Sequence, residues 1–282
     1  MQIFQRKNGD QVSYKTWGSP ADPGVILMHG FPGSHVQAKF LEPLCSEKKL
    51  FLAAFDRPGY GLTTDRRQNL EEIAHLTVEL ADHLGMQRFY LIGVSGGAPS
   101  AFSVSYLYPE RVLKMGIVCG LAPFAKDFKQ HFPGYQCRAL AATRWVPRAG
   151  LASLFEYSFL RKDPAVGLKN FARFLHASDR DVLLNPNLRQ GLIESMMWAR
   201  QQGARGMVND VKNFSTDWRG SQRLKVSTYI WHGGQDLLLP LKMAERWQAL
   251  EPEIRLRIFP EEGHYSLPLH RGQDILDDIL NT

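Results

Sequence analysis

Short, unbroken apolar runs alternate along this chain with helix-length amphipathic stretches. Val25–Met28 and Phe51–Phe55 are continuous apolar runs too short for helices, as expected of strands covered on both faces. Arg88–Val94 and Leu113–Cys119 read the same way. Between them Leu70, Ile73, Ala74, Thr77, Leu80, Ala81 and Leu84 recur at helical spacing. Asn69 is placed to cap that helix and Gly85 to end it. A second helix, Pro99–Tyr108, stops at Pro109. Strands alternating with helices require parallel pairing and a doubly covered sheet. Upstream, residues 1–17 read as two short strands around the turn Asn8-Gly9-Asp10, a hairpin signal.

The rhythm breaks in the middle of the chain. From Pro123 to Trp218 the pattern is helical, punctuated by Pro, Gly and Asn. Asp163-Pro164 and Asn185-Pro186 each place a capping side chain before a proline at the first helical position. No central-strand run interrupts this region. The strand–helix pattern resumes with a strand at Lys225–Trp231, a helix at Pro240–Leu250, a strand at Ile254–Phe259 and a helix at Gly272–Leu280. The organisation predicted is an α/β core (residues 1–122 and 219–282) interrupted by a helical cap (residues 123–218).

Composition narrows the function classes. The chain has 282 residues, 44% hydrophobic and 22% charged, as in ordinary globular proteins. No apolar run approaches the roughly 18 residues that span a bilayer, and the N-terminus lacks the apolar stretch of a signal peptide. Cys45, Cys119 and Cys137 are odd in number and widely spaced, which disfavours a disulfide framework or a zinc site. A cytoplasmic chain without a membrane partner is expected. The net charge is +6, and residues 122–218 carry 14 Lys/Arg against 8 Asp/Glu, so the whole excess sits in the cap. It contains no run of adjacent basic residues longer than the pair Arg161-Lys162, so a nucleic-acid partner is not expected. A solvated basic surface is the plain reading, and attraction of an anionic substrate the functional one.

Gly93-Val94-Ser95-Gly96-Gly97 is a G-x-S-x-G motif between a strand and a helix. That context is the one a nucleophile elbow requires. The turn lifts the serine hydroxyl from the sheet at a helix N-terminus, where N–H groups favour a developing anion. Serine needs a base to be a nucleophile at neutral pH. His264, in the loop after the strand ending at Phe259, is placed to be that base. Asp236, after the preceding strand, is placed to orient the imidazole. His83, His131, His176 and His270 fall on predicted helices and read as ordinary surface or partly buried residues.

The order Ser95, Asp236, His264 is that of the α/β-hydrolases, and the chain resembles that superfamily along its length. The matching segments are His29-Gly30-Phe31-Pro32-Gly33-Ser34, Asp56-Arg57-Pro58-Gly59-Tyr60-Gly61, Gly93–Pro99, His232-Gly233-Gly234-Gln235-Asp236 and Gly263-His264. The resemblance implies an α/β-hydrolase fold: an eight-stranded, mostly parallel sheet with strand 2 antiparallel, helices on both faces and a cap inserted after strand 6. It makes Ser95 the nucleophile, Asp236 the acid and His264 the base. It gives the oxyanion hole to the backbone N–H groups of Phe31 and Gly96. His29, Gly30, Pro32 and Gly33 would shape that loop, and Asp56–Gly61 would be a structural turn.

Epoxide hydrolases and haloalkane dehalogenases of this fold carry an aspartate at the elbow, where this chain has Ser95. A serine favours acyl transfer, and a carboxylesterase acting on a small-molecule ester is the expected function. No metal or organic cofactor is called for. Carbon–carbon bond hydrolases of the fold, which take acidic diketone-like substrates, suit a basic cap and are the enzymatic alternative. Aminopeptidase-like members need cap carboxylates, which are scarce here, and perhydrolases often lack a cap. A ligand receptor that keeps the triad with little turnover is the alternative outside enzymes. Trp145, Phe155, Phe159, Phe171, Phe174 and Trp198 are expected mostly to pack the cap on itself, with a few lining an apolar acyl pocket. Met196 and Met197 are read as core.

Overall fold

The computed structural model describes residues 1–123, 139–140, 142–160, 163–216 and 223–281, without the side chains of Phe159 and Leu160. The strands are β1 (Gln2–Gln5), β2 (Gln11–Trp17), β3 (Gly24–Met28), β4 (Phe51–Phe55), β5 (Phe89–Val94), β6 (Val112–Val118), β7 (Thr228–Gly233) and β8 (Arg255–Phe259). They form one sheet in the order β1-β2-β4-β3-β5-β6-β7-β8. β2 runs antiparallel to both neighbours, and β4 through β8 pair in parallel with β3 between them. Every residue of β3 and β4 is buried, whereas the edge strands β1 and β8 are largely exposed. Unbroken apolar runs thus went to the doubly covered centre, as physics requires of a parallel sheet.

Alternation along β3 feeds two cores. Ile26 and Met28 join the apolar cluster under helices α2 (Leu70–His83), α3 (Ala98–Leu107) and α9 (Lys242–Leu250). Val25 and Leu27 join the cluster on the other face, under α1 (Glu42–Glu47), α10 (Ser266–His270) and α11 (Gly272–Leu280). α2 begins in a reciprocal capping box: Asn69 Oδ1 accepts from Glu72 N at 2.8 Å, and Glu72 Oε2 accepts from Asn69 N at 2.8 Å. Such caps satisfy N–H groups that the helix itself cannot. Gly85, at φ 75°, terminates it as expected.

Between β6 and β7 the described residues hold no strand. They form α4 (Arg148–Phe155), α5 (Pro164–Phe171), α6 (Ala177–Leu184), α7 (Pro186–Ala199) and α8 (Arg205–Phe214). Asp163 and Asn185 cap α5 and α7 through their side chains, each with proline in the first turn. The junctions expected near residues 122–123 and 218–219 border or fall on residues outside the description, as do His131 and Cys137. Cys45 and Cys119 are buried free thiols. Among the described residues no helix is long and apolar enough to cross a membrane.

Three expectations are corrected. β7 starts at Thr228, not Lys225, and continues through His232 and Gly233, because those residues pair with Ile258 and Phe259 of β8. His176 is not within a helix. Its side chain caps α6 by accepting from Ser178 N. The aromatics between β6 and β7 are less inward than expected: Trp145 is 82% and Phe174 77% exposed, while Phe155 is buried. Helical spacing shows which residues share a face, but not whether another element covers it.

Candidate functional site

The elbow forms where β5 ends. Ser95 adopts φ 51°, the left-handed region that side chains other than glycine rarely occupy. Its carbonyl accepts from Leu121 N at 3.1 Å, which ties the turn to the end of β6. Gly97 lies directly on the Met28 carbonyl, and a Cβ there would overlap it. The turn therefore needs glycine for close approach.

His264 Nε2 lies 2.9 Å from Ser95 Oγ, and His264 Nδ1 lies 2.7 Å from Asp236 Oδ2. The other Asp236 oxygen accepts from the N–H groups of Leu238 and Leu239, both at 2.8 Å. These three residues, 28 and 169 positions apart along the chain, form one hydrogen-bonded line at the carboxyl ends of β5, β7 and β8. Asp236 is 4% exposed and His264 9%. Burial disfavours the charged imidazole, but the Asp236 carboxylate opposes it by charge and hydrogen bond, and Asp179 adds to this. The net effect raises the His264 pKa above its ordinary value. Burial likewise opposes ionisation of Asp236, yet His264 outweighs it, and the carboxyl is held below its ordinary range. Such a line can move a proton from the hydroxyl to the imidazole and stabilise the imidazolium that forms.

The loop after β3 closes the other side. A Cβ on Gly30 would stand 3.4 Å from Ser95 Cβ, and one on Gly96 would meet Phe31 Cβ at 2.8 Å. The residues whose N–H groups were expected to act together are therefore neighbours around Ser95. Arg57 holds this loop from behind: its Nη1 donates to the His29 carbonyl, and its Nη2 to the Gly30 carbonyl at 3.3 Å. Gln37 Oε1 accepts from Gly30 N at 2.6 Å. Arg57 is in turn paired with buried Asp210 of α8, at 2.6 Å. Burial and the Arg57 charge push the pKa of His29 well below its ordinary value, so this histidine is a neutral structural group.

A cavity of about 640 Å³ opens above Ser95. Its floor comes from the loops after β3, β5 and β8, and its roof from α5, α7 and α8. The roof side chains include Leu168, Phe171, Leu192, Met196 and Phe214. Met196 packs against the apolar cluster of Leu168, Ala172, Leu175 and Leu183 and also faces the cavity, whereas Met197 is 42% exposed and is not the core residue expected. The charged lining residues are Lys39 and Asp163, and Lys39 is paired with Glu194 at 2.6 Å. Ligand sites commonly have this form, an apolar hollow with a few convergent polar groups.

Cys119, His232 and Asp236 bring metal-capable atoms within 4.8 Å of one another. Their chemistry does not suit a metal. Burial holds the Cys119 thiol protonated, the His232 nitrogen that faces Asp236, Nε2 at 3.8 Å, is engaged with the Leu239 carbonyl at 2.8 Å, and Asp236 is bonded to His264 and two backbone N–H groups. A metal site needs the thiolate and free lone pairs.

Sequence reading missed Asp179. This residue of α6 is fully buried and accepts from the N–H groups of His264 (2.8 Å), Tyr265 (2.7 Å) and Ser266 (2.9 Å). Nothing local in the sequence around residue 179 signals a partner 85 residues away.

Comparison with known proteins agrees with this architecture. A family model described as the alpha/beta hydrolase fold matches residues 23–270, and the chain belongs to that family. It is 24% identical over 250 residues to the dihydrolipoyllysine-residue acetyltransferase component of the acetoin cleaving system of Pseudomonas putida; the match covers 88% of this chain but 60% of that protein. It is 21% identical to an uncharacterized hydrolase, YugF, of Bacillus subtilis, with 97% of this chain and 94% of the relative covered. Among solved structures, an esterase from Exiguobacterium antarcticum superposes with a TM-score of 0.73 at 18% identity, covering 99% of both chains.

Proposed function

We propose that this protein is a serine hydrolase working through an acyl-enzyme, and that its substrates are carboxylic esters with an apolar acyl group. The observation that carries the reading is the line Asp236–His264–Ser95, with bonds of 2.7 and 2.9 Å, opening on an apolar cavity of about 640 Å³. Ser95 Oγ attacks the ester carbonyl while its proton passes to His264 Nε2. Asp236 stabilises the imidazolium. The N–H groups of Gly96 and Phe31 hold the oxyanion, each worth about 3 kcal/mol in the transition state by analogy with other oxyanion holes. His264 then protonates the departing alkoxide. Water, deprotonated by His264, attacks the acyl-Ser95 ester and releases the acid. The helices α4–α8 act as the cap that shields this chemistry from bulk water.

The carbon–carbon hydrolase alternative draws support from the basic cap. The lining disfavours it, because the lysine facing the cavity is already paired with Glu194, the other charged lining residue is Asp163, which repels an acid, and most of the remaining wall is apolar. An acidic diketone would lose water without gaining a partner.

A fluorophosphonate probe tests the reading. It requires an activated serine and an oxyanion hole, whatever the natural substrate. We expect an adduct on Ser95, located by peptide mass spectrometry and absent from Ser95→Ala, and many turnovers on p-nitrophenyl esters. Folded protein that forms no adduct, or ligand-stabilised protein that turns over no ester, overturns it in favour of a receptor.

A further inference from the structure

We propose that Asp179 is a positioning residue for His264, through which a cap helix holds the catalytic base in place. This rests on the reading of His264 as the base of the Ser95 reaction.

The turn that carries His264 is tied to its surroundings up to Gly263, where Glu262 N donates to the Phe259 carbonyl at 3.1 Å and the Glu262 carbonyl accepts from Gln235 N at 2.9 Å, but the N–H groups that follow find their acceptor outside it. Gly263 N donates to Ser266 Oγ at 2.8 Å, and α10, which follows directly, has no side-chain cap from its own N-cap residue. Three successive N–H groups, of His264, Tyr265 and Ser266, point instead at one carboxylate from α6. Buried donors left without acceptors are costly, so the turn keeps this shape only while Asp179 is there. Gly263 reports the same fit. A Cβ there would overlap the Asp179 carboxyl group, so the glycine lets the carboxylate reach the turn. The base is thereby gripped twice: the imidazole by Asp236 through Nδ1, and the backbone beneath it by Asp179. One grip belongs to the core and the other to the cap.

Asp179 also contributes charge. The groups facing His264 are Asp236 after β7, Asp179 on α6, the Ser95 hydroxyl on the elbow, and the Tyr265 ring edge-on at 5.5 Å. Behind the turn lie neutral His232 of β7 and the protonated Cys119 thiol, whose sulfur is 3.7 Å from the Gly263 carbonyl. Glu262, two residues before His264, is held by His270 and Arg271. Of these, the two aspartates favour the imidazolium.

The test uses Asp179→Asn, Asp179→Glu, Gly263→Ala and, as a control of equal charge change, Asp181→Asn, an exposed residue of the same helix. Each is assayed for kcat, KM and the pH profile of kcat/KM on an activated ester, and for the rate of fluorophosphonate labelling. Circular dichroism confirms folding. In Asp179→Asn we expect kcat to fall about 10- to 100-fold with KM nearly unchanged, the signature of a displaced catalytic group. The acid limb should move to lower pH, because one charge favouring the imidazolium is gone. Asp179→Glu should restore the limb and part of kcat. Gly263→Ala should lower kcat with the limb in place, since the carboxylate is pushed but not discharged. Asp181→Asn should match the parent. If Asp179→Asn melts earlier but keeps the parent's kcat, labelling rate and acid limb, Asp179 is merely structural and the proposal fails. If Asp179→Asn does not fold, parent values in both Asp179→Glu and Gly263→Ala overturn it equally. Failure of the parent protein to label at Ser95 is a different result, and removes the underlying reading of the site together with this inference.

Discussion

The helices between β6 and β7 meet the core in two unlike ways. Along one seam the contacts are polar, buried and directional. Arg57 and Asp210 form a two-pronged pair at 3.0 and 2.6 Å, and Tyr60 adds a hydroxyl at 2.8 Å. Trp198 Nε1 reaches buried Asp56 at 2.6 Å, and Asn209 reaches the Pro58 carbonyl at 3.0 Å. Above Ser95 the facing surfaces are largely apolar; they touch where Phe214 packs edge-on against Phe31 and stand apart around the rest of the cavity. A hollow of this size between apolar walls invites collapse, since interiors otherwise pack densely. Hydrogen bonds fix distance and angle, whereas apolar contact fixes neither. The seam therefore sets the height of the roof, and the space beneath is left for a ligand. This division suits a site that must admit an apolar group without being built around one shape.

The sharpest way to separate the two regions is to remove the chemistry and leave the seam. Ser95→Ala should cost kcat about 10⁵- to 10⁶-fold, the scale seen when a triad acts as a unit. Thermal unfolding should be unchanged or slightly later, because alanine deletes no packing atom of the seam. A Ser95→Ala protein that melts markedly earlier would mean that the elbow and the seam are one structural unit.

Breaking the seam should do the reverse. Asp210→Ala strands the Arg57 guanidinium, and removal of one partner from a buried pair costs about 3–5 kcal/mol. Denaturant unfolding measures this. Because Arg57 also holds the His29 and Gly30 carbonyls, kcat should fall as well. Arg57→Met combined with Asp210→Leu should recover much of the stability but not the activity, as the loop beside Ser95 has still lost its brace. Full recovery of activity in the double variant would reduce the pair to a spacer.

The acid limb of kcat/KM comes next in size. As the proposed base, His264 would accept the serine proton only when neutral, and its pKa is raised. Activity should therefore be lost as pH falls, with a midpoint above the unperturbed value of about 6.5. Asp236→Asn should move that midpoint down while lowering kcat about 10⁴-fold. A limb that stays in place in Asp236→Asn would assign it to a group other than His264.

The same contrast governs what could be read from the sequence. The floor of the site was legible because its determinants are local: a strand run ending in Gly93-Val94-Ser95-Gly96-Gly97, and loops after two further strands carrying Asp236 and His264. The parallel order of the sheet followed from apolar runs buried on both faces. The seam was not legible. Asp210 meets Arg57 across 153 residues and Trp198 meets Asp56 across 142, and no periodicity links such pairs. Asp56 was read as part of a turn, yet its carboxylate gathers Ser13, His35 and Trp198 from three separate segments. The aromatics between β6 and β7 show the same limit from the other side: amphipathic spacing could not tell buried Phe155 from exposed Phe174.

Gly191 offers the mildest perturbation and the most selective. It lies within α7 and lines the cavity, and a Cβ there meets nothing within 4 Å. Gly191→Leu should therefore fill space without disturbing the seam, and replacing a mid-helix glycine should add about 0.5–1 kcal/mol of stability. If the apolar hollow receives the acyl chain, hydrolysis of long-chain p-nitrophenyl esters should fall about tenfold relative to the acetate, in line with the cost of a few misfitted methylenes. Acetate turnover itself should hardly change, since the polar line through Ser95 is untouched. An earlier melt with an unaltered chain-length profile would instead place Gly191 itself in the structural seam, beside Trp198 of the same helix, and leave the acyl chain to another branch of the cavity. Later melting with altered selectivity would separate the two regions by a single side chain, because the same leucine would strengthen the helix that forms the roof and shorten the space below it.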